Sequence, residues 1–72
     1  MNDEPPSPEM FSVLRDQAFE EIERVAGLAA SYSRSLGEAA FRGDRATMDV
    51  HLRQLRLCVL SMIKTYKDFL GD

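Results

Sequence analysis

The sequence predicts an all-α fold, an antiparallel helical hairpin, on three observations. Two long runs carry apolar residues at helical spacing, one over residues 8–42 and one over 45–70. Between them stands Arg42-Gly43-Asp44-Arg45, a connection long enough only for a reversal. Each helix also carries more apolar surface than one neighbour can cover. The hairpin is therefore expected to dimerise into a four-helix bundle.

The chain has 72 residues and reads as one domain over 8–72, preceded by a disordered acidic, proline-rich tail over 1–7. A domain this small leaves roughly 40% of its surface uncovered even when folded, and such domains usually need a staple. Its one cysteine cannot form an intrachain disulfide, and no Cys/His cluster offers a zinc site. Association is the staple left. The start is acidic rather than basic and apolar, and no apolar run nears the ~18 residues of a membrane span. A cytoplasmic location without membrane contact is the expectation.

Ser7-Pro8-Glu9 is a helix start. Ser7 suits the cap, Pro8 the first helical position, and Glu9 faces the positive end of the dipole. The first helix then presents Phe11, Leu14, Ala18, Ile22, Val25, Ala29, Tyr32, Leu36 and Ala39 on one seam. The consecutive four-residue steps at Leu14, Ala18 and Ile22 resemble a stutter. Glu20/Arg24 and Glu38/Arg42 fall at i,i+4 in the favourable order. The weak stretch is Gly27 to Gly37, where two glycines and three serines lower helix propensity. A break there would give three helices. A continuous helix is the preferred reading, because the apolar period runs straight through. A second stripe of small residues, Ala26, Ala30, Ser33, Gly37 and Ala40, lies beside the seam and would let another backbone come close.

Gly43 is the residue expected just past a helix end, and Asp44 can cap the next helix. In that second helix Met48, Leu52, Leu55, Val59, Met62, Tyr66 and Phe69 follow at spacings of 4, 3, 4, 3, 4, 3, an unbroken heptad seam. Gly71 ends it. Centring the reversal on Gly43–Asp44 places Leu70 opposite Gln17, so residues 8–16 extend past the second helix. That overhang carries Met10, Phe11, Val13 and Leu14. On the second helix Val50, Leu57 and Leu60 fall outside the seam, in a stretch that is apolar nearly all round. Both surpluses point to a second copy or a protein partner. Met10, Phe11, Leu14, Val50, Leu57 and Leu60 are the candidate contact residues.

No chemistry-bearing constellation stands out. His51 lacks ligands at metal spacing, Cys58 sits in the most apolar stretch, and Glu20, Glu21 and Glu23 lack the accompanying Glu-x-x-His of a di-iron bundle. No cofactor, metal or catalytic residue is assigned, and the chain is read as non-enzymatic. Residues 8–43 hold six acids and four arginines, whereas 44–70 hold three acids and five bases, which suits helices lying side by side. The function expected is a small protein–protein interaction module, an adaptor, regulator or chaperone-like subunit, that probes partners through apolar helix faces. The alternative is a nucleic-acid-binding regulator using Arg45, Arg53, Arg56 and Lys64 of the second helix. A Rop-type RNA-binding bundle resembles it in layout, two helices and a tight turn, a likeness of architecture alone.

Overall fold

The computed structural model describes residues 8–71. Two helices account for nearly all of them. Helix α1 spans Pro8–Arg42 and α2 spans Arg45–Phe69. They fold back on each other as a rod 56 Å long and about 20 Å across. The expected Ser7 cap and the tail lie outside the described residues. α1 runs without a break through Gly27 and Gly37, so the period of its apolar seam outweighs the low propensity of that stretch.

The turn is made as its residues dictate. Gly43 has φ 68°, the left-handed conformation that other residues avoid. Its N–H bonds to the Ala40 carbonyl at 3.0 Å, and the Asp44 N–H bonds to the Ala39 carbonyl at 2.9 Å. The Asp44 carboxylate then caps α2. It accepts the Thr47 N–H at 3.1 Å and the Thr47 hydroxyl at 2.6 Å. These bonds hold the Asp44 carboxyl below the usual aspartate range, first through the Thr47 hydroxyl and then through the Thr47 backbone. At its far end α2 stops at Phe69, one residue earlier than expected, with Leu70 donating to the Tyr66 carbonyl at 2.8 Å.

The seam of α1 is the one its spacing predicts. Leu14, Ala18, Ile22, Val25, Ala29, Tyr32, Leu36 and Ala39 are its buried or half-buried apolar residues; Phe11, before them, is half exposed. The seam of α2 is not. His51, Cys58 and Thr65 face α1, while Leu52, Val59 and Tyr66 stand 51%, 45% and 57% exposed. The cause lies in the turn. Asp44 is fixed against Ala39, and residues seven apart on a helix return to nearly the same side. Asp44, His51, Cys58 and Thr65 therefore all point at α1. They meet Ala39, Tyr32, Val25 and Ala18, which are also seven apart, in four layers. The Tyr32 and His51 rings lie 6.2 Å apart in one layer, and Ala18 and Thr65 border the same small cavity in another. Met48, Leu55 and Met62, all half-buried, belong to both possible seams.

The register differs as well. Phe69 lies beside Leu14, Gln17 and Ala18 around that cavity, so α2 reaches Leu14. The overhang is shorter than the expected 8–16. The reason is again Asp44 meeting Ala39: the last three residues of α1 are used in the reversal rather than in pairing. The resulting core is thin. Among the described residues only Ala18, Val25, Ala39 and Cys58 are buried, and no large side chain is fully enclosed.

Candidate interaction surface

The layers define two broad faces. Because the helices are antiparallel, residues one position after a layer residue fall on the same face in both. On α1 these are Phe19, Ala26, Ser33 and Ala40; on α2 they are Arg45, Leu52, Val59 and Tyr66. Ile22, Ala30 and Gly37 of α1 and Met48, Leu55 and Ile63 of α2 complete this face by the same periodicity. Between Phe19 and Ala40 on α1, and between Met48 and Tyr66 on α2, its ionised side chains are confined to its outer edges: Glu23 lies seven residues before Ala30, and Asp49 and Arg56 lie fourteen and seven before Ile63. Arg15 and Arg45 close its two ends.

Residues one position before a layer residue form the opposite face. These are Gln17, Arg24, Ser31 and Glu38 on α1, and Val50, Leu57 and Lys64 on α2. Here Arg24 donates to the Glu21 carboxylate and holds the Glu21 carboxyl below its ordinary range. Glu21, three residues from Arg24, takes the place expected of Glu20. Lys64 pairs with Asp68 at 2.9 Å. This face mixes charge with isolated apolar groups, which is ordinary surface.

The uncharged face is not ordinary. Leu52, Val59, Ile63 and Tyr66 form a ridge along α2, each 44–57% exposed. Beside it runs the small-residue stripe of α1. A Cβ at Gly37 would meet nothing within 4 Å, so the hairpin itself does not require a glycine there. Glycine in a helix interior nonetheless costs about 1 kcal/mol against alanine.

The residues singled out from the sequence scatter over this frame. Met10 and Phe11 are half exposed near the open end, and Leu14 is half buried beside Phe69. Val50 and Leu57 lie on the mixed face, and Leu60 points outward from α2, opposite the hairpin seam. Of the cations, Arg53 is 3.0 Å from Asp49 and Lys64 is held by Asp68, while Arg45 and Arg56 border the uncharged face. Phe41, next to the turn, is 93% exposed. His51 faces α1 rather than solvent, with Nδ1 3.1 Å from the Gln54 side-chain oxygen. Cys58 is buried as a free thiol.

Sequence reasoning missed Leu52, Val59, Ile63 and Tyr66 as surface, because it spent three of them on the internal seam. The signal was present in Asp44: its cap role and a seven-residue step lead directly to His51, Cys58 and Thr65. Among the described residues no three His, Cys, Asp or Glu side chains gather as a metal site, and no helix is long and apolar enough to cross a membrane. No family model, curated protein or solved structure matches the chain.

Proposed function

We propose that this chain is a small non-enzymatic protein–protein interaction module that works by completing a helical bundle. Its hairpin supplies two helices, and the uncharged face takes the others. The simplest such assembly is a homodimeric four-helix bundle. The observation that carries this reading is the uncharged face itself: a continuous apolar ridge and small-residue stripe running most of the length of a rod whose own core is four small or medium side chains. Apolar burial is the main driving force for such association, and contiguous exposed apolar patches on this scale mark interaction sites.

The reading ties folding to association. A hairpin with so thin a core depends on the surface it buries against other helices. Helicity measured by circular dichroism should therefore fall as the protein is diluted, and the thermal midpoint should rise with concentration. A monomer that is fully helical and unfolds cooperatively at every concentration would contradict the proposal.

A further inference from the structure

We infer that the uncharged face is covered by a second copy of this chain, stacked so that α2 of each copy lies on α1 of the other and both turns sit at the same end. This rests on the reading of that face as an association surface, and it names the partner and the geometry.

Two observations lead there. The first is shape. The ridge Leu52, Val59, Ile63 and Tyr66 stands out from α2, and the stripe Ala26, Ala30, Ser33 and Gly37 recedes along α1. A twofold axis running along the rod lays each ridge on the other copy's stripe. It also explains a glycine at position 37, where the hairpin alone leaves open space.

The second is charge at the rims of the face. A twofold axis along the rod permits no sliding, so each layer of one copy stands level with the same layer of the other. Asp16 and Lys67 each stand two residues beyond the Ala18/Thr65 layer, toward the open end. Arg34 and Asp49 each stand two residues beyond the Tyr32/His51 layer, toward the turn. Glu23 and Arg56 flank the Val25/Cys58 layer within about one helical turn of each other. Asp16, Glu23, Asp49 and Arg56 lie on the outer edges of the face and Arg34 and Lys67 next to them on the outward side, and stacking α1 on α2 brings each acid beside a base of the other copy. Asp49 is also 3.0 Å from Arg53 of its own helix and would sit between two arginines. Exposed pairs add little affinity but select register and orientation. The opposite arrangement, with the turns at opposite ends, lays α1 on α1 and α2 on α2. Ridge then meets ridge. With the axis at Val25, the middle of α1, Glu23 comes near Glu23 and Arg56 near Arg56 of the other copy.

The test is directed disulfide formation. In a Cys58→Ala background, one preparation carries Ala26→Cys and another Val59→Cys; a second set carries Ser33→Cys and Leu52→Cys. Each set is mixed, refolded, oxidised and run without reductant, after sedimentation shows that the variants are dimeric. The expected result is a covalent dimer from the mixture of either set and none from any single variant. A covalent dimer from one variant alone, or dimeric protein without cross-linking in both mixtures, overturns the stacking while leaving the interaction module standing. A concentration-independent helical monomer overturns both. Charge exchange gives an independent readout: Glu23→Arg and Arg56→Glu should each weaken the dimer about threefold and together restore it. Failure of the double exchange to restore it counts against the stacking.

Discussion

The two broad faces of this hairpin are built on the same layers, one residue to either side, yet they differ in kind. Ahead of each layer stand Gln17, Arg24, Ser31, Glu38, Val50, Leu57 and Lys64, with Arg24 and Lys64 closing ion pairs within their own helices. Behind each layer stand Phe19, Ala26, Ser33, Ala40, Leu52, Val59 and Tyr66, without a charge between the two ends. Helical periodicity alone places these sets on opposite sides. The difference separates a face that carries paired charges from one whose middle carries none. A solvated face can absorb charge at little cost, whereas a face meant to be buried cannot.

The largest expected effect follows from placing a charge on each face in turn. Val59→Glu should dissociate the assembly, raising its dissociation constant more than a hundredfold, about 3 kcal/mol or more. Ser61→Glu, two residues along on the mixed face, should change it by less than about 0.5 kcal/mol. Sedimentation equilibrium of the two variants measures both. Equal effects would erase the distinction between the faces.

Next comes the stripe. Gly37→Leu removes a helix-weakening glycine and meets open space within the hairpin. It should cost association about 1–3 kcal/mol by crowding the contact. Dimer dissociation that is unchanged or weaker would show that nothing approaches that position.

Val25→Ala probes the core beneath both faces. Val25 is 4% exposed, and trimming it should cost about 2 kcal/mol of stability. The thermal midpoint should fall while the stoichiometry at high concentration stays the same. A loss of stoichiometry at full helicity would place Val25 in the interface instead.

The smallest effect belongs to the turn. The Asp44 carboxyl titrates below its ordinary value near 3.8 because Thr47 donates to its charged form. Its contribution is present above that value and is lost as pH falls through the lower folded one. Acid titration followed at 222 nm should show a component in this window that Asp44→Asn lacks. An identical acid titration of Asp44→Asn would show that the cap contributes nothing.

Much of this fold was legible in the residues. The α1 seam from Leu14 to Ala39, its continuity through Gly27 and Gly37, the Gly43 turn and the Asp44 cap all follow from spacing and local chemistry. The rotation of α2 did not. Its apolar arc is wide enough for two heptad seams that share Met48, Leu55 and Met62, and apolar spacing cannot choose between them. The choice is made by a hydrogen bond across the turn, Asp44 to Ala39, which also sets the register. The candidate surface inherited that ambiguity. Leu52, Val59 and Tyr66 belong to whichever seam the turn leaves outside.

The most direct test is sedimentation equilibrium of the unmodified chain over a wide concentration range, with helicity followed on the same samples. A reversible dimer at twice 8.2 kDa, whose helicity falls as it dissociates, is the predicted result. A fully helical species that stays at 8.2 kDa throughout would contradict it.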